Sequence, residues 1–245
     1  MEKLFPIVNE NRKSGFVQRF EELIISGYFP IGIKLPSERD LAALLEVSRP
    51  VVREGLIELQ SMGLVSMKSR SGSIVNDYRR EGSLALLTAI YKYGKGQPEQ
   101  RLLTGIMEMR RLFEVECARL AAIHCPSSIL VEINDLLAEE EDIPHEDVLS
   151  RIESDFRFHH LIALASGNAV YPLQMNSFKP FYINLAGIFY SDSSVISRVR
   201  KFHIDLIESI RSGDDIEAQK VMREMLTHGE EQLQIMLKKS QEAFK

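Results

Sequence analysis

Residues 35–75 read LPSERDLAALLEVSRPVVREGLIELQSMGLVSMKSRSGSIV, and the order of signals in this stretch decides the fold. Ser37 is a good N-cap with Glu38 and Asp40 in the first turn, and Leu41, Ala42, Leu44 and Leu45 follow at helical apolar spacing. After Glu46 and Val47, Ser48 caps a second helix whose apolar face is Val52, Leu56, Ile57 and Leu59, leaving Arg49 and Arg53 one turn apart near its start. Gly63 stands where a left-handed, helix-ending residue belongs, and residues 64–67 and 73–75 read as short strands around the basic turn 68–72. Two helices, a tight turn and a two-stranded hairpin in this order predict a winged helix-turn-helix, with Arg49 and Arg53 facing a major groove.

Upstream, Phe16, Phe20, Leu23 and Ile24 share one face of a first helix that follows Ser14 and is stopped by Gly27 and Pro30. Downstream, residues 76–82 are polar and contain Gly82, so 77–82 are expected to be a linker between a DNA-binding domain over 1–76 and a second domain over 83–245. Every segment after Ser83 has helical periodicity. The expected helices are 83–93, 98–124, 127–140, 145–166, 169–190, 193–212 and 214–240, divided by Pro98, Pro126, Pro144, Gly167 and Gly213. The fold class is therefore mainly α: three helices plus a β-hairpin wing, then an all-α bundle of six or seven helices able to enclose a pocket.

Composition narrows the classes. A 245-residue chain that is 44% hydrophobic can bury a core in each of two domains. The two cysteines, Cys117 and Cys125, are too few for a disulfide framework or a cysteine-rich zinc site and fit buried thiols. There is no run of eighteen apolar residues and no signal-peptide core at the start, so a cytoplasmic chain without a membrane partner is expected. The net charge of −5 divides unevenly: residues 1–80 hold twelve Lys/Arg against ten Asp/Glu, a net +2. So mild a basic end must rely on a few placed arginines and on two copies acting together, which makes a homodimer the expected form.

The run from PSER into S-R-x-x-V-R-E, with the wing behind it, resembles the DNA-binding domain of the GntR family of bacterial transcription regulators. The resemblance implies that Arg49, Arg53, Ser48, Pro50 and Val51 meet the major groove, that Arg39 meets backbone phosphates, and that Ser69 and Arg70 at the wing approach the minor groove. Pro50 and Val51 replace polar side chains common in relatives, so readout there depends less on hydrogen bonds, and Val51 suits a thymine methyl.

Asp155 and His159 are four apart on one helix face, and His203 opens a later helix. This D-x3-H spacing, with a histidine followed ten residues later by Gly213-Asp214, resembles the FCD domain of the FadR subfamily, where an Asp and three His hold a divalent metal. The resemblance implies zinc, nickel or manganese at Asp155, His159 and His203. It also puts Met225 where the fourth ligand belongs, with His228 three residues on as the substitute. Taken without it, Asp155 and His159 read as a hydrogen-bonded helical pair before they read as metal ligands.

Residues 166–182 and 75–84 resemble the metal-free, acyl-CoA-binding kind of FadR-subfamily regulator instead. Arg110 matches a cavity-facing arginine of the family and can fork onto an anionic effector, or onto Glu114 one turn away. Asn168 and Tyr182 are further effector-binding candidates, while Met107, Met175, Phe178, Phe181, Phe189 and Tyr190 line or fill the bundle. The expected function is a transcription regulator, acting as a repressor, whose affinity for a double-stranded operator is set by a small carboxylate or acyl effector. The alternatives are a metal-dependent enzyme using the Asp/His cluster and an effector-independent DNA binder. No nucleophile or general-base motif accompanies the cluster, so the chain is expected not to be an enzyme.

Overall fold

A computed structural model describes residues 12–68, 72–94 and 100–243. The chain forms two compact units, Met1–Gly96 and Gln97–Lys245. In the first, α1 (Arg12–Ile25), α2 (Glu38–Leu45) and α3 (Arg49–Ser61) precede strands β1 (Val65–Lys68) and β2 (Gly72–Val75). The strands pair antiparallel with Val65 opposite Val75, and Lys34 bridges to Ile74, so the approach to α2 forms a third short rung on the wing.

Local chemistry places these elements. The Ser37 hydroxyl accepts from the Asp40 amide at 3.2 Å to start α2. Glu46 then takes a left-handed conformation, φ 54°, which turns the chain into α3. Gly63 has φ 80°, and a Cβ there would stand 1.9 Å from the Glu81 carbonyl oxygen, so the position requires glycine twice over. Gly55 has a different reason: a Cβ would lie 2.2 Å from the Phe16 ring, which lets α1 and α3 approach closely over a core holding Phe16, Phe20, Leu41, Leu45, Val52, Leu56 and Leu59.

Three expectations are corrected here. The supposed linker 77–82 is folded, as the helical turn α4 (Tyr78–Glu81) capped by Asp77 and tied back by Ser83 N–H donating to the Met62 carbonyl oxygen at 3.1 Å. The helix expected to open the second domain, α5 (Leu86–Tyr93), belongs to the first unit, because Leu86 and Ala89 are buried in the same core as Phe16. Ile57, counted on the apolar face of α3, is 51% exposed.

The second unit is all helical: α6 (Gln100–His124), α7 (Ser127–Asp142), α8 (Val148–Ala165), α9 (Tyr171–Phe189), a 3-10 turn (Ser193–Val195), α10 (Ile196–Ser212) and α11 (Asp215–Ala243). Helix α8 is central. It packs on α6, α7 and α9, and α11 closes the bundle against α6 and α10. Burial of Ile152, Asp155, Phe156, Phe158, His159 and Ile162 wraps α8 on nearly all sides, so its polar side chains must find partners inside. No described helix is long and apolar enough to cross a membrane.

Candidate functional site

In the first unit the candidate DNA-contacting side chains lie about the start of α3. Ser48, Arg49, Pro50 and Arg53 are exposed, whereas Val51 is half-buried against the core. The Ser48 hydroxyl makes no capping bond to α3, and neither Arg49 nor Arg53 has an ion pair among the described residues. The Arg39 side chain on α2 is 83% exposed and pairs with Asp40 at 3.6 Å. Ser69 and Arg70 lie outside the described residues.

In the second unit, buried polar groups from five helices converge. Asp155 and His159, one turn apart on α8, meet His203 of α10, and their candidate ligand atoms all lie within 4.8 Å of one another. The Tyr190 hydroxyl donates to Asp155 Oδ1 at 2.8 Å and the Tyr182 hydroxyl donates to Oδ2, while His203 Nε2 stands 3.6 Å from Oδ1. Each histidine turns Nδ1 toward a buried glutamate. His203 Nδ1 is 3.1 Å from both carboxylate oxygens of Glu140, which also accepts from Ser154 Oγ at 3.2 Å. His159 Nδ1 is 2.5 Å from Glu114 Oε2, an oblique approach that is an ion-pair contact more than a directed hydrogen bond. Arg110 forks onto the same Glu114, with Nη2 to Oε2 at 3.4 Å, and its guanidinium stands 5.0 Å from the Tyr182 ring centroid.

Charge is held there against burial. Desolvation alone would neutralise Asp155, but the adjacent His203 and His159 imidazoles and the Tyr182 hydroxyl keep its carboxyl well below the usual range. Burial opposes a charge on His203 too, yet Asp155 and Glu140 raise it to about 9. For Glu114 the opposing burial is overcome by Arg110 and His159, which bring its carboxyl to about 2. Burial and the Asp155 charge push both tyrosine hydroxyls well above 10.

Above this floor lies a cavity of about 60 Å³. Arg110, Asp155, His159 and Tyr182 supply its polar wall. The remainder is apolar, including Met107, Phe178, Leu185, Phe189, Val199 and Leu233. Met225 lines it at the position of the expected fourth ligand.

Two expected site residues fall elsewhere. His228 is not part of the cluster: its ring packs 5.7 Å from that of Phe202, because three residues along a helix rotate a side chain by about 60° from the Met225 direction. Asn168 is a turn residue whose Oδ1 accepts from the Val170 amide at 2.9 Å and does not line the cavity. Conversely, sequence reasoning passed over Glu140 and Tyr190 as site residues and treated Glu114 only as a partner for Arg110. A signal for Glu140 existed, since it continues the buried spacing of Ile133 and Leu136 along α7.

The sequence was compared with known proteins. Residues 13–75 match the family described as bacterial regulatory proteins, gntR family, and residues 105–228 match the FCD domain. The HTH-type transcriptional regulator Mce2R of Mycobacterium tuberculosis is 29% identical over 218 residues, covering 88% of this chain and 90% of the relative. LutR of Bacillus subtilis, also an HTH-type transcriptional regulator, is 29% identical over 216 residues, 86% and 96% of the two chains. The fatty acid metabolism regulator protein of Shewanella denitrificans is 26% identical over 219 residues, 89% of each. Among solved structures, Lar of Listeria monocytogenes superposes with a TM-score of 0.63 at 17% identity over 90% of this chain and 95% of its own, a likeness of fold.

Proposed function

The chain belongs to the GntR family of bacterial regulatory proteins, in the branch that carries an FCD domain, and is thus an effector-controlled DNA-binding regulator; we propose that its effector is a carboxylate with an apolar body and that it acts as a homodimeric repressor in the cytoplasm. The observation that carries the effector class is the two-sided cavity, with four polar side chains gathered at one wall and hydrocarbon elsewhere. An acyl effector fits the same division. On the operator, Arg49 and Arg53 read the major groove from the start of α3, and Arg39 meets phosphate.

We propose in addition that Asp155, His159 and His203 hold a divalent cation. The donor set fits. Two imidazoles and a carboxylate converge, His203 Nε2 is buried without a hydrogen-bond partner, and both Nδ1 atoms are engaged by glutamates. Met225 adds no charge and is a poor ligand for zinc or manganese, so three protein ligands would serve. A bound cation would supply positive charge for the effector carboxylate. The chain's own side chains do the rest: Tyr182 and Tyr190 fix the Asp155 carboxylate, and Arg110 holds Glu114 against His159.

Control is expected as a population shift, in which the effector favours a state of the dimer with a different fit to two operator half-sites. Anisotropy titrations on an operator selected from random duplexes, with and without candidate acids, test this. The expected result is a 5–150-fold change in operator affinity that shrinks when divalent ions are removed, with ligand-free DNA binding unaltered. An acid that binds and leaves operator affinity unchanged overturns it.

A further inference from the structure

His203 is held on three sides. Its ring stacks on Phe158 at 3.7 Å between centroids with 16° between planes, Nε2 faces Asp155, and Nδ1 faces Glu140 from a third helix. Glu140 is 6% exposed and lies in a run of four acidic residues, 139–142, whose neighbours Glu139 and Glu141 reach outward to Arg157 and Arg200. A carboxylate is costly to bury, so its presence there calls for a partner of matching chemistry. It has two: the Ser154 hydroxyl, which donates to Oε1 and fixes the carboxylate, and the imidazole edge of His203.

We infer that Glu140 is a positioning residue for the metal centre. By accepting the Nδ1 proton of His203 it selects the tautomer with a free Nε2 lone pair, aims that lone pair at the space beside Asp155, and makes the imidazole a better donor. This rests on the reading above that Asp155, His159 and His203 hold a divalent cation. The reason such help is needed is Met225. With a thioether where a fourth imidazole belongs, each remaining ligand must be set well, and a carboxylate behind a histidine typically changes metal affinity by about 10–100-fold.

The test uses the full chain freed of metal and titrated with zinc against a chromophoric chelator, for wild type, Glu140→Gln and Glu140→Leu. Glu140→Gln keeps shape and an acceptor oxygen but not the charge, and zinc affinity is expected to fall about 10-fold or more. Glu140→Leu removes the acceptor and is expected to lower affinity at least as far. Histidine ¹H–¹⁵N correlation spectra of the zinc-loaded proteins give a readout that simple destabilisation leaves untouched. With zinc on Nε2, His203 carries its proton on Nδ1 in all three proteins; that proton is hydrogen-bonded, shifted downfield and slow to exchange in wild type and Glu140→Gln, and loses these marks in Glu140→Leu. Equal zinc affinity in all three proteins, or a wild-type His203 protonated on Nε2, overturns the role of Glu140 alone. A wild type that takes up no zinc, nickel or manganese removes the metal reading itself, and this inference with it.

Discussion

The ion pair between Arg110 and Glu114 offers the sharpest test of how the second unit tolerates its buried charge. The Arg110 side chain is 15% exposed and that of Glu114 3%. Replacing Glu114 by Leu strands the guanidinium beside the Tyr182 ring without its forked carboxylate, and breaking a buried pair from one side costs about 3–5 kcal/mol. Arg110→Met is expected to cost less, about 2–3 kcal/mol, because Glu114 keeps His159 beside it. The double variant Arg110→Met, Glu114→Leu removes both charges from an apolar setting and is expected to lose no more than about 2 kcal/mol, a coupling of at least about 3 kcal/mol. Denaturant unfolding followed by helix content, in the presence of a chelator to remove metal linkage, measures all four proteins. For a unit of this size the Glu114→Leu variant should also melt about 10 °C lower. Losses that add to within about 0.5 kcal/mol would mean that the two groups do not depend on each other, and the account of the site as a coupled charge network would be wrong.

The first unit yields three further expectations. Gly63→Ala, forced into φ 80° with its Cβ against the Glu81 carbonyl, should destabilise the winged helix by more than the about 1 kcal/mol expected of a glycine at an ordinary αL position, read as early melting of the DNA-binding unit; an unchanged melting curve refutes the clash. Arg53→Ala should cost about 1–3 kcal/mol on the operator and relax base preference, whereas Arg39→Ala should weaken all sequences alike and lower the salt slope by about 1; identical salt slopes and preferences for both variants would contradict the assigned roles. Glu21 is pushed above the ordinary carboxylate value by burial, which Lys92 only partly offsets. Because its folded value is raised, stability falls as pH climbs through that value, so Glu21→Gln should be the more stable protein at neutral pH and gain nothing below about pH 4, under the ordinary carboxylate range.

How far the sequence could be read depended on which force set each feature. Helix ends were legible because they are local: Pro126, Gly167 and Gly213 punctuate the bundle, and the expected 127–140 and 214–240 appear as Ser127–Asp142 and Asp215–Ala243. The partner of a helix is not local. The periodicity of residues 83–93 announced an apolar face but not which core would receive it, and Leu86 went to the winged helix. The same limit governed the site. Asp155 and His159 share a face by helical geometry alone, and His203 joins them. Glu140 reaches His203 from 63 residues away across two helices, a contact that no spacing within α7 encodes. His228 failed for the converse reason, since proximity in sequence to Met225 does not overcome a fixed rotation about the helix axis.

The charge balance of the cluster leads to a last expectation. Asp155, Glu114 and Glu140 bring three carboxylates into contact with two imidazoles; Arg110 is already engaged by Glu114, and Arg151 and Arg200 line the space beside Glu140 and His203. With both imidazoles neutral, the three carboxylates and Arg110 carry a net charge of about −2 in a poorly solvated interior. Protons on the histidines or one divalent cation can neutralise it, and a carboxylate effector entering the cavity adds a further negative charge. Arg110 is therefore not a free receptor for that carboxylate. Effector and cation should bind with positive coupling, each raising the affinity of the other by the same factor, about 5–150-fold. Calorimetric titration of a carboxylate that alters operator binding, before and after removal of divalent ions, measures that factor directly. Equal affinity under the two conditions would place the carboxylate away from the Asp155 wall, against the apolar lining or on an Arg110 released from Glu114.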